Sequence, residues 1–121
     1  MVINQLLVKT IIEDLGFETE TAKNGKIAID LIEKNNYNLI LMDLQMPEMN
    51  GWEATEYIRN KMKLPKSATP IIALTADITE KNILKCQEIG MDAYVSKPIN
   101  ETDLLQNVTR LIIKKKKSTN K

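Results

Sequence analysis

Apolar residues recur every three or four positions from Asn4 to Leu15, at Leu7, Val8, Ile11, Ile12 and Leu15, and Gly16 follows them. That spacing predicts a helix with one apolar stripe, stopped by the glycine. The period then changes to two. Residues 17–22 read FETETA, a threonine-rich alternation that predicts a short strand near a sheet edge with one wet face, closed by Asn24-Gly25. Ile27, Ala28, Leu31 and Ile32 restore the helical stripe as far as about Lys34, where Asn35-Asn36 ends it.

Two later segments, Tyr37 to Asp43 and Ile71 to Thr75, are continuous apolar runs, the pattern of parallel strands covered on both faces. A helix is predicted between them from about Gly51 to Lys61, followed by a loop holding Pro65 and Pro70. Ile78 to Ile89 reads as a weaker helix stopped by Gly90, and Ala93 to Lys97 as a last strand ending at Lys97-Pro98. Leu104, Leu105, Val108, Leu111 and Ile112 mark a final helix. Residues 1–113 therefore read as one α/β domain, and 114–121, with Lys114 to Lys117, as a Lys-rich flexible tail. Strands alternating with helices imply a parallel sheet with right-handed crossovers, whose ligands bind beyond the carboxyl ends of the strands.

Composition narrows the chemistry. The 121 residues suit a single domain, and a formal charge of +1 creates no field to gather nucleic acid or a membrane. Lys114 to Lys117 have no aromatic residues interleaved, so no nucleic-acid partner is expected. With no histidine in the chain, neither a histidine metal site nor a Ser-His or Cys-His pair can form. Cys86, alone, reads as a reduced and partly buried thiol. The N-terminal apolar residues are interrupted by Lys9 and preceded by no basic segment, so a signal peptide or membrane span is not expected and a cytoplasmic location is.

Each of the three most apolar strands ends on a polar residue: Asp43, Thr75 and Lys97. One such residue is more often a structural ion pair or cap than a site. Three on successive strands at the binding edge suit phosphoryl chemistry, with Asp43 as carboxylate nucleophile, Thr75 as hydrogen-bond donor and Lys97 as neutralising cation. A phosphatase of the haloacid dehalogenase type also ends an apolar strand on a nucleophilic aspartate, but it carries a second aspartate two positions on, where this chain has Gln45.

MDLQMPEMNG around Asp43, ALTAD around Thr75 and DAYVSKP around Lys97 resemble the three signatures of response-regulator receiver domains, particularly those of hybrid sensor histidine kinases. The resemblance covers nearly the whole chain in order, including Pro47 and Gly51 after the acidic strand and Gly90 before the last one. It implies a flavodoxin-like doubly wound parallel sheet and a phosphorelay role in which Asp43 accepts a phosphoryl group from a histidine kinase or phosphotransfer protein. Thr75, Ala76 and Lys97 would bind that group, Thr75 and Tyr94 would form the switch, and Pro98 would follow a cis bond. Asp43 and the backbone carbonyl of Gln45 would be the remaining ligands of a Mg²⁺ site.

The family's first strand, central in the order 2-1-3-4-5, and the acidic pair that ends it have no counterpart here, because VINQLLVKTIIEDLG resembles the start of the first helix. Weak Mg²⁺ binding and impaired phosphorylation are the expectation. A phosphorylation-independent interaction module is the rival reading. For the fold, the second strand closes against the third, another copy fills or covers the gap, or the fold is partly ordered; a homodimer or a rearranged sheet is favoured.

Overall fold

The computed structural model describes residues 9–44, 49–76 and 79–119, the last seven of these by their helical backbone alone. Its elements alternate as the apolar pattern requires. Helical residues 9–14 (α1) precede α2 (Gly25–Lys34), β1 (Ile40–Asp43), α3 (Gly51–Lys61), a short 3-10 turn (Lys66–Ala68), β2 (Ile71–Thr75), α4 (Glu80–Ile89), β3 (Ala93–Ser96) and α5 (Glu101–Thr119). The three strands are parallel in the order β1-β2-β3.

Strand alternation sends the side chains of the sheet to two separate cores. Ile40, Met42, Ile71 and Ala73 pack on one face with Ile29, Ile32, Ala54, Ile58 and Cys86 from α2, α3 and α4. Ile72, Leu74 and Val95 pack on the other with Ile11, Ile12, Leu104, Val108 and Leu111 from α1 and α5. β2 is buried along its whole length because both of its edges are paired and both of its faces are covered. Each such apolar side chain stabilises the fold by about 1.5–3 kcal/mol relative to exposure.

Helix starts are set by side chains that satisfy the first free N–H groups. Asn24 caps α2 by accepting from Ile27 N, and Thr79 caps α4 by accepting from Asn82 N. At α3, Asn50 and Glu53 form a reciprocal capping box. The Asn24-Gly25 pair, read from sequence as a turn closing a strand, is thus a helix start. Gly90 ends α4 in the left-handed region at φ 104°, where its N–H reaches back to Cys86 O and Gln87 O.

Three sequence expectations are corrected. Residues 17–22 do not form the alternating strand: they line the groove beside β1 without joining the sheet, because alternation alone supplies no hydrogen-bonded neighbour. Closure of this segment against the next strand, one of the three alternatives for the fold, does not occur among the described residues. The third concerns Lys114–Lys117: the helical backbone of α5 continues through them to Thr119. The expected beginning of the first helix and Ile78, the expected start of the fourth, lie outside the described residues. Lys97-Pro98 is cis as the resemblance implied, and Leu64-Pro65 is cis as well.

Candidate functional site

The parallel register aligns the three polar strand ends. Asp43 stands beside Leu74, Thr75 beside Ser96, and Lys97 follows Ser96 directly. Lys97 N donates to Thr75 O at 2.8 Å, which carries the pairing one residue past the end of β3. The result is a row across the carboxyl edge of the sheet, with Thr75 buried between the two charged residues.

Lys97 Nζ donates to Asp43 Oδ2 at 2.6 Å, and the two side chains are only 11% and 12% exposed. A pair so well shielded interacts far more strongly than a surface pair, while each charge still needs its partner to offset lost hydration. Ala76, next to Thr75, is exposed at the mouth of the site and presents only a methyl group. Residues 17–22 and β1 flank the site on its other side, so Asp43 and Lys97 also stand at one end of a long groove.

Gly51 holds the chain close beneath this edge. Its N–H donates to Leu44 O, and a Cβ built there would meet Asp43 O at 2.5 Å and Leu44 Cα at 2.9 Å. Only glycine allows α3 to start so close to the strand that carries Asp43. Pro47 and Gln45, expected respectively as a loop residue and as a carbonyl ligand, lie outside the described residues.

Tyr94 lies on β3 one register step behind the site, 39% exposed and away from Asp43. It lines a shallow depression with Met91, Ser96, Asn107 and Arg110. Trp52 and Tyr57 serve packing and surface contacts: Lys85 sits 4.7 Å from the Trp52 ring centre, and Tyr57 donates to Glu33. That bond pushes the Tyr57 hydroxyl above its ordinary range. Cys86 is buried, and burial pushes its thiol up.

The oxygen set for magnesium can be tested directly. Mg²⁺ takes octahedral oxygen coordination, usually through one or two carboxylates with phosphate and water. Among the described residues no three His, Cys, Asp or Glu side chains stand together as a candidate metal cluster. The one carboxylate at the site is held by Lys97. The described residues do not fit the ion.

Sequence reading expected a gap beside β1, which the groove matches, but missed an ion pair at the opposite end of the sheet, Arg59–Asp92. The FETETA segment lines that gap without pairing with β1. No feature of Arg59 or Asp92 in the sequence distinguishes them from solvated charges.

Residues 2–109 match the model of the family described as response regulator receiver domain. The chain is 40% identical over 108 residues to the sensor protein GacS of Pseudomonas syringae pv. syringae, a match spanning 88% of this chain and 12% of that protein. It is 38% identical over 112 residues to the hybrid signal transduction histidine kinase B of Dictyostelium discoideum, covering 85% of this chain and 6% of that one. Among solved structures, it resembles the receiver domain of a sensor histidine kinase from Pseudomonas aeruginosa, which has a magnesium ion coordinated in its active-site cleft. The TM-score is 0.83 at 30% identity, over 93% of this chain and 90% of that one. A CheY-like receiver domain protein from Methanospirillum hungatei gives 0.85 at 27% identity, over 97% and 90%. The chain thus spans only a small part of the length of its curated relatives. Among the described residues no helix is long and apolar enough to cross a membrane.

Proposed function

The chain belongs to the response-regulator receiver domains of two-component and phosphorelay systems, and on that footing we propose that it accepts a phosphoryl group on Asp43 from a histidine kinase or phosphotransfer protein in the cytoplasm. The observation that carries the proposal is the shielded Asp43–Lys97 pair, 2.6 Å apart, with Thr75 between their strands. A carboxylate oxygen of Asp43 attacks phosphorus, the P–N bond of the donor phosphohistidine breaks, and its electron pair leaves with the imidazole, which takes up a proton.

The acyl phosphate carries up to about two negative charges. Lys97 shifts from the carboxylate to a phosphoryl oxygen, and the Thr75 hydroxyl turns to donate to another, while the methyl side chain of Ala76 leaves room for the group. Tyr94 turns inward from its half-exposed position as Thr75 moves, and so forms the switch.

Magnesium would neutralise charge on the transferring group, and the residues here give it a poor site. Weak Mg²⁺ affinity and slow phosphorylation of the chain by itself follow. A tight magnesium titration that Asp43→Asn removes would count against this part of the proposal.

The test is incubation with a small phosphodonor, with and without Mg²⁺, read by intact mass. One added phosphoryl group that Asp43→Asn abolishes is the expected result. No label in any arm would overturn the phosphoacceptor reading. It would favour a receiver-like interaction module that works without phosphorylation, the reading that the unfit metal site supports.

A further inference from the structure

α2 begins against the chain that leads into α3. Gly25, its first residue, is buried, and the Gly25 N–H donates to Met49 O at 3.1 Å. A Cβ built on Gly25 would run into Met49 O and stand 2.8 Å from Met49 Cγ and 2.9 Å from Met49 Cβ. Backbone shape does not call for a glycine here, because among the described residues only Gly16 and Gly90 have a positive φ. The helix gains nothing from it either, since alanine loses less chain entropy on becoming helical. What glycine supplies at this position is space, and Met49 fills it.

The contact reaches the site in one further step. Met49 is followed by Asn50, the cap of α3, and by Gly51, whose N–H donates to Leu44 O and whose backbone lies close against Asp43 O. Gly25, Met49, Gly51 and Asp43 thus form a series of close contacts with no room for a methyl group at either glycine. Groups packed this tightly transmit a displacement rather than absorb it. A shift of about 1 Å at a reacting group can cost about a hundredfold in rate.

The other end of α2 is held independently. Lys66 Nζ donates to Ile32 O, to Glu33 O at 3.0 Å and to Asn35 O at 2.8 Å, and so satisfies carbonyls that the helix leaves free at its C-terminus. The helix can therefore be loosened there without touching Met49.

We propose that Gly25 is a positioning residue for phosphoryl transfer: it seats Met49, and through Met49 and Gly51 it sets where the Asp43 carboxylate stands. The proposal rests on the phosphoacceptor reading of Asp43. Gly25 acts through these residues and makes no contact with the phosphoryl group.

The test follows labelling by a small phosphodonor with intact mass, against time and donor concentration. Gly25→Ala is expected to lower the maximum labelling rate about tenfold, with the half-saturating donor concentration unchanged. Its amide shifts should move at Met49, Gly51 and Asp43. Lys66→Met is the structural control: its stability in urea falls, while its labelling rate stays within about twofold of the parent chain. If Gly25→Ala does not fold, an ester oxygen in place of the Gly25 N–H adds no bulk and removes only the bond to Met49. That change is expected to slow labelling about threefold. A labelled parent with a Gly25 variant labelled equally fast overturns this proposal alone. Equal slowing in Lys66→Met also overturns it, because α2 then acts only through its stability, and so do shifts confined to α2. No label on the parent chain overturns the phosphoacceptor reading and this proposal together.

Discussion

The sheet holds an ion pair at each end, and the two are built for different work. At the amino ends of the strands, Asp92 Oδ2 accepts from Ile71 N at 2.8 Å and from Arg59 at 3.1 Å. The Arg59 fork also donates to Gly90 O, Ser67 O and Thr69 O, at 2.8 to 3.0 Å. At the carboxyl ends, a compact ammonium meets Asp43 in a better shielded spot, with Asp43 12% exposed against 40% for Asp92. A planar fork spread over two loops cannot change partners without loosening both of them, whereas an ammonium on a flexible stem can. The same charges make a rivet at one end of the sheet and a movable contact at the other.

Removing the rivet should give the largest effect. Arg59→Met strands three carbonyls and a carboxylate, so its stability in urea is expected to fall by about 3 kcal/mol. Arg59→Lys should recover less than half of that. An unchanged midpoint for Arg59→Met would break the comparison at once. Burial already lowers the Arg59 pKa, against the pull of Asp92, which marks how little water the fork retains.

Gly51→Ala ranks next. The new methyl meets Asp43 O, and the backbone must move at a cost of about 2 kcal/mol, typical of overpacking. Its signature at the carboxyl end should be altered amide shifts at Asp43 and Leu44, with the amino end unmoved.

Lys97→Met should cost stability less than either, about 1 kcal/mol, because it removes one contact, whereas Arg59→Met strands three carbonyls and a carboxylate. Asp43→Asn in the same chain should return most of the loss. A Lys97→Met variant as unstable as Arg59→Met would show that both ends are rivets.

The smallest effect concerns Tyr37, at the far end of the groove. Burial first, and then its bond to Glu20, pushes its hydroxyl up to about 12 from the ordinary 10. A raised pKa favours the protonated fold. This contribution is full below pH 10 and is lost as the pH rises through about 12. Tyr37→Phe should flatten that alkaline slope in chemical denaturation measured from pH 9 to 12.

What the sequence revealed follows from how much each feature depends on its neighbours. The bounds of α3 and β2 matched their patterns because a capped helix and a doubly covered strand carry their instructions locally. Asp43, Thr75 and Lys97 were legible as neighbours because parallel topology brings strand ends together whatever the loops do. Residues 17–22 misled because alternation describes the two faces of a strand but does not supply a partner. Arg59 and Asp92 stayed hidden because their value lies in carbonyls that the fold brings to them from two separate loops.

Every ladder in this sheet joins residues about twenty or thirty positions apart, as in Ile40 with Ile71 and Ile72 with Ala93. With parallel strands alone, no hairpin can form early and guide the rest. The sheet must await closure of two long crossovers, so the chain should fold through its helices first and assemble β2 late. Until then, its most insoluble stretch, IIALT, remains exposed to solvent and to other nascent chains.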